Sequence, residues 1–297
     1  MAQIWSVPEP SEVLTVHLAN GATAQVRRHG NPAGPRVILS HGCGLAADTY
    51  LPYWLLLKDH VDLLVFDFRS HGWNREGDLE SLNFPTFVDD YDAILRAIGQ
   101  RFGECPAVGV FHSMSALTAL LYEQERGGFA GLALFDPPIQ PPGRNPEDLV
   151  YISEHMSRGM RRRRDRFESH DDYIAHMDAN PAYQRLRRGV SGLMAETLLR
   201  PDGEGYALRC PKEHEAQIYE YFYGWSMQID VKQVKCPIKV VGSDPTTSFS
   251  FMPSMDFDEM VRMNYDFLPE ATHMLQLEEP EHCVEITLQF LNEVGLL

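Results

Sequence analysis

The sequence predicts an α/β protein, a doubly wound, mostly parallel sheet with a helical segment inserted before its final strands. Short apolar runs at 37–40, 63–66, 107–111 and 132–135 alternate with longer stretches whose apolar residues recur at helical spacing. A strand covered on both faces needs no polar alternation, so such runs belong to a parallel sheet flanked by helices. The alternation stops between 141 and 232, where no convincing buried strand is found, and resumes at 238–241. The expected division is a core of residues 1–140 and 233–297 and a helical cap of residues 141–232, closing over the sheet edge where open α/β sheets bind ligands.

Taken in order, residues 12–28 alternate about Asn20-Gly21 and read as a hairpin. The run Val37-Ile38-Leu39-Ser40 is a buried strand leading into His41-Gly42-Cys43-Gly44. A helix is expected over 50–58, then a strand over 63–66 that ends in Asp67-Phe68-Arg69-Ser70-His71-Gly72. Thr86 reads as the N-cap of a helix with Val88, Tyr91, Leu95 and Ile98 on one face, closed by Gly103. The strand at 107–111 turns directly into a helix that ends near Arg126-Gly127-Gly128, with Ser113 at the turn. The strand at 132–135 ends at Asp136.

Within the insertion, Leu149, Ile152 and Met156 share a helical face, and 171–199 reads as mainly helical. Arg161-Arg162-Arg163-Arg164 reads as a solvated helix face flanked by Asp165 and Glu168, with a site for an anionic substrate tail as the functional alternative. The aromatic stretch 219–225 is expected to pack on the core, and lining an apolar pocket is its other reading. After the strand at 238–241 come Gly242-Ser243-Asp244, a helix over 255–263 and a short strand at 267–268. Pro280 opens a last helix with Cys283, Ile286, Phe290 and Val294 on one face.

Composition narrows the function. A chain of 297 residues, 44% hydrophobic, can build one large α/β domain with an insertion. Its formal charge of −16 disfavours nucleic acid and anionic membranes and leaves a small-molecule substrate as the expected partner. Five scattered cysteines without a C-x-x-C pair suit a reducing compartment. With neither a signal-like start nor a membrane-length apolar run, the expectation is a cytoplasmic protein. No H-E-x-x-H, Cys/His cluster, P-loop or strand-linked G-x-G-x-x-G is present, so no metal and no cofactor are expected. Oligomeric state is left open.

A serine between a strand and a helix is lifted clear of the sheet, with the next backbone N–H beside it at a helix N-terminus. That arrangement suits a nucleophile, and equally a plain N-cap. The stretch Phe111-His112-Ser113-Met114-Ser115 resembles the nucleophile elbow G-x-S-x-G of the α/β-hydrolase family, with Phe111 and Ser115 in the glycine places. His41-Gly42-Cys43-Gly44 resembles the family's H-G-x oxyanion turn, and residues 67–72 its D-x-R-G-H-G stretch, with Ser70 replacing a glycine. Gly242-Ser243-Asp244 and His273 followed by Glu278-Glu279-Pro280 resemble its closing pattern.

The resemblance covers nearly the whole chain and implies a Ser-acid-His triad. Ser113 would be the nucleophile, His273 the base and Asp244 the acid, with the Cys43 and Met114 amides holding the oxyanion. Asp136 is a rival acid, since some members of the fold place it after that earlier strand; the Gly-Ser-Asp setting favours Asp244. His41, His71 and His112 read as structural, hydrogen-bonding loop carbonyls, and Ser115 as a capping or packing residue. The implied reaction is hydrolysis of a small ester or thioester, or of a lactone. Carbon–carbon bond hydrolysis of a diketone is the alternative enzyme, and Phe111 at the elbow keeps a non-catalytic small-molecule receptor in view. A serine rather than an aspartate at 113 argues against dehalogenase or epoxide-hydrolase chemistry.

Overall fold

The computed structural model describes residues 4–139, 145–247 and 257–297. Two antiparallel strands open the chain, β1 (Glu12–His17) and β2 (Thr23–Gly30), joined through Asn20 and Gly21, both at positive φ. Then follow β3 (Arg36–Leu39), α1 (Leu51–Leu57), β4 (Asp62–Phe66), α2 (Phe84–Phe102), β5 (Ala107–His112), α3 (Met114–Glu125) and β6 (Gly131–Phe135). The next segment holds α4 (Pro146–Arg162), β7 (Arg166–Phe167), α5 (His170–Asp178), α6 (Val190–Leu198), β8 (Leu199–Asp202), β9 (Gly205–Leu208) and α7 (Lys212–Ser226). The chain closes with β10 (Ile238–Gly242), α8 (Phe257–Arg262), β11 (Tyr265–Phe267), α9 (Leu275–Glu278) and α10 (Pro280–Glu293).

Among the described residues, eight strands form one sheet in the order β1-β2-β4-β3-β5-β6-β10-β11, parallel from β4 to β11. Side chains alternate across a strand, and here both faces are dry. Ile38, Leu64 and Leu132 enter one core, while Val37, Leu63, Val110 and Ala133 enter the other. From β3 the chain goes first to β4 on one side and later to β5 on the other. The strand ends of β3 and β5 therefore flank a topological switch point, the place where such sheets open a ligand crevice.

Three details differ from the sequence reading. The cap of α2 is Asn83, whose side chain accepts the Thr86 N–H at 3.0 Å; Pro85 sits in the first turn, where its missing N–H costs nothing. The segment between β6 and β10 is not purely helical, because β7, β9 and β8 form a small antiparallel sheet in that order. These strands have two to four residues and include Pro201 and Gly205, so they give no apolar run to read. The short strand before His273 is β11, which ends one residue before Leu268. Of the helix expected over 255–263, Met255 and Asp256 lie outside the described residues, as does the start of the insertion at 141–144.

Candidate active site

Ser113 stands between β5 and α3 with φ 52° and ψ −114°, a left-handed backbone that non-glycine residues adopt rarely. Its side chain makes no capping hydrogen bond, so the N-cap reading does not describe it. The bulky neighbour is accommodated by a small residue two positions back. A Cβ on Gly109 would lie 2.3 Å from the Phe111 ring, so the absence of a side chain there makes room for that ring on the same face of β5. Phe111 packs against Tyr91 and Phe129. Ser115, fully buried, accepts the His112 N–H and donates to the His112 carbonyl, both at 2.9 Å, and so ties the elbow together.

His273, in the loop between β11 and α9, reaches Ser113 Oγ through Nε2 at 3.1 Å. Its Nδ1 lies 2.6 Å from Asp136 Oδ2. A carboxylate only accepts, so Nδ1 carries the proton and Nε2 is left to take one from the serine. Asp136 follows β6 and has φ 44°; its Oδ1 accepts the Ser243 N–H at 2.9 Å and the Ser243 hydroxyl at 3.1 Å. Beside it, Thr272 is pinned by Glu278, whose Oε2 accepts the Thr272 N–H at 2.7 Å.

The structure thus places Asp136, not Asp244, against His273. Asp244 accepts the Thr246 N–H at 2.8 Å and hydroxyl at 2.7 Å, and its other oxygen accepts the Glu270 N–H at 2.7 Å. Those bonds, led by the Thr246 hydroxyl, hold its pKa below the ordinary value. Adjacent parallel strands β6 and β10 end side by side, so acids after either strand lie near the same histidine. Here the β6 acid takes the histidine, and the β10 motif contributes Ser243 as its support.

The loop after β3 is held by three histidines. His41 donates from Nδ1 to the Gly42 carbonyl at 2.8 Å, and its Nε2 accepts the Phe68 N–H at 3.1 Å. His71 donates to the Arg69 carbonyl at 2.7 Å and accepts the Gly44 N–H at 3.1 Å. His112 donates from Nε2 to the His273 carbonyl at 2.8 Å, so its Nδ1 accepts the Tyr50 hydroxyl at 2.6 Å, which in turn accepts the Gly42 N–H at 3.0 Å. One imidazole therefore connects the loop, the elbow strand and the His273 backbone. Tyr50 was not readable as a site residue, because in an apolar helical stretch it looks like core. Among the described residues, the Cys43 and Met114 amides have no hydrogen-bond partner. Burial raises the Cys43 thiol well above its ordinary pKa, which keeps it protonated and argues against a thiolate nucleophile.

Each of these three histidines works only when neutral. Burial, then the charge of His41, pushes His71 down to about 3, and burial also lowers His41 and His112. A folded-state pKa below the unfolded value near 6.5 means that the unfolded chain takes up the proton first. Stability is then whole above that pH and is lost as pH falls towards the folded value, by about 1.4 kcal/mol per pH unit for each group. Melting temperature is therefore expected to drop between pH 7 and 5, above the carboxylate range, with a shallower drop in His71→Asn. A flat profile down to pH 5 would contradict this account.

A cavity of about 230 Å³ opens over Ser113 and His273. The loop at 42–45 forms one wall, and Met160, Met177, Met194 and Leu198 from the segment between β6 and β10 form much of the rest. The family model described as "Alpha/beta hydrolase family" matches residues 37–285. The chain belongs to the α/β-hydrolase family. Among solved structures, it is similar to an E-2-(acetamidomethylene)succinate hydrolase, with 17% identity over 95% of this chain and 99% of that one and a TM-score of 0.76. A thioesterase domain from the curacin biosynthetic pathway shares 17% identity over 94% of this chain and 99% of its own, with a TM-score of 0.74. The N-formylmaleamic acid deformylase of Pseudomonas putida S16 shares 21% over 93% and 99%, with a TM-score of 0.65. No curated protein matches the chain. At these identities the likeness speaks for the α/β-hydrolase fold. Among the described residues, no helix is long and apolar enough to cross a membrane.

Proposed function

We propose that this α/β-hydrolase cleaves a small-molecule carboxylic ester or thioester, lactones included, through an acyl-enzyme on Ser113. The observation that carries the reading is the unbroken line from Ser113 Oγ to His273 Nε2 and from His273 Nδ1 to Asp136 Oδ2. In the first step Ser113 Oγ attacks the carbonyl carbon while His273 accepts its proton, and Asp136 stabilises the imidazolium. The carbonyl oxygen takes the electron pair and is held by the Cys43 and Met114 amides. Collapse expels the alcohol or thiol, which takes the proton from His273. Water then attacks the acyl-enzyme with His273 again as base, releasing the acid and restoring Ser113. Residues 141–232 serve as the cap that excludes bulk water and selects the acyl group.

A fluorophosphonate probe tests the reading. We expect one adduct, on the peptide containing Ser113, in the wild type and none in Ser113→Ala, together with hydrolysis of p-nitrophenyl esters by the wild type. A folded protein that takes no probe would overturn the nucleophile assignment and return the chain to the receptor alternative.

A further inference from the structure

Within the run Arg161-Arg162-Arg163-Arg164, the four side chains have different surroundings. Arg161 pairs with Glu213 at 3.0 Å and Glu220 at 2.7 Å on α7, and Arg162 is exposed. Arg164 pairs with Asp172 and lies over the Phe167 ring. The solvated-face reading fits Arg161 and Arg162. Arg164 and Arg163, directly after α4, both border the cavity that holds Ser113 and His273, and Arg163 is the less exposed of the two. Its Nη2 contacts one oxygen of Glu215, a carboxylate 5% exposed, and its Nε is buried with no hydrogen-bond partner among the described residues. Its charge also reaches Cys43 in the loop after β3.

Further hydrogen-bond donors line this cavity. Tyr173, Tyr183 and Tyr219 border it too, and none of their hydroxyls has a hydrogen-bond partner among the described residues. Burial raises the pKa of all three, so they stay protonated as donors. A guanidinium has five N–H donors in a planar fork, and Glu215 meets one end of it. Glu215 lies against the loop after β3, where only a glycine leaves it room, since a Cβ on Gly44 would come within 2.5 Å of its Oε1. The carboxylate therefore anchors Arg163 beside the loop without satisfying it. An ion pair with one buried partner, Glu215 at 5% exposed and Arg163 at 28%, adds little to stability compared with apolar side chains of the same size, so its presence in a substrate cavity calls for another use.

We propose that Arg163 is a specificity-determining residue that receives a carboxylate at the far end of the substrate's acyl group. The preferred substrates are then half-esters or half-thioesters of short dicarboxylic acids. The proposal rests on the acyl-transfer reading and adds the substrate class to it. The reacting end lies at Ser113, and the second carboxylate meets Arg163 with tyrosine hydroxyls around it. The apolar methionine and leucine wall covers the methylenes between.

The test compares mono-p-nitrophenyl adipate with p-nitrophenyl hexanoate, which differ in the terminal carboxylate. In the wild type, kcat/KM is expected to favour the adipate monoester by at least about tenfold. Arg163→Gln should reduce that ratio by about tenfold or more, with Arg163→Lys falling between the two. Glu215→Gln removes the resident competing anion and should raise the ratio a few-fold. Preference of the wild type for hexanoate would overturn the proposal, as would an unchanged ratio in Arg163→Gln, and the wild-type comparison needs no variant to fold. Absence of probe labelling at Ser113 would instead bring down the acyl-transfer reading. Labelling together with a preference for hexanoate would bring down the carboxylate assignment alone.

Discussion

Ser113→Ala is expected to lower ester turnover on the order of 10⁶-fold, to the residue of rate that an oxyanion site and binding can sustain without a nucleophile. The neighbouring hydroxyl cannot replace it. Ser115 lies two positions on, inside α3, fully buried, with its oxygen engaged by both the N–H and the carbonyl of His112. Ser115→Ala should therefore behave as a stability variant, losing on the order of 1–3 kcal/mol as the His112 backbone groups lose their partner. Steady-state rates for the two variants, with melting temperatures alongside, check both statements. Equal losses of turnover in the two would sink the assignment of roles within the elbow.

Much of the fold was legible because buried parallel strands announce themselves. The runs at 37–40, 63–66 and 132–135 each overlap a strand that begins one residue earlier, and the elbow strand is β5 with one residue more. The sheet β7-β9-β8 was not, since strands of two to four residues with exposed positions carry no period to detect. At the site, Ser113 and His273 meet as their chain positions suggested. The departure at Phe111 was readable only with Gly109 beside it, because the glycine matters through the ring it makes room for and not through a turn. The residues 67–72 likewise support the site through folded contacts. Asp67 accepts the Ala47 N–H at 2.8 Å and pairs with buried Arg27 at 2.6 Å, while Arg69 grips Asp90 with two bonds. Arg163 was hidden for a different reason. Four adjacent arginines look alike in a sequence, and only the end of α4 decides which of them border the cavity.

The acid is where local pattern and tertiary geometry disagreed, and the disagreement is measurable. Asp136→Asn is expected to lower turnover on the order of 10⁴-fold with little change in KM, because an amide in place of Oδ2 no longer holds the Nδ1–H tautomer of His273. Asp244→Asn is expected to stay within about threefold of the wild type. Its carboxylate makes hydrogen bonds to Thr246 and Glu270, which an amide oxygen can partly keep. Ser243→Ala should fall between them, since it removes the hydroxyl that steadies Asp136 and leaves the Ser243 N–H in place. The reverse order, with Asp244→Asn crippled and Asp136→Asn active, would restore the acid that the Gly-Ser-Asp motif suggested. The physical argument runs against that outcome. His273 has one Nδ1 proton to give, and the only carboxylate shown within hydrogen-bonding distance of it among the described residues is Asp136, at 2.6 Å.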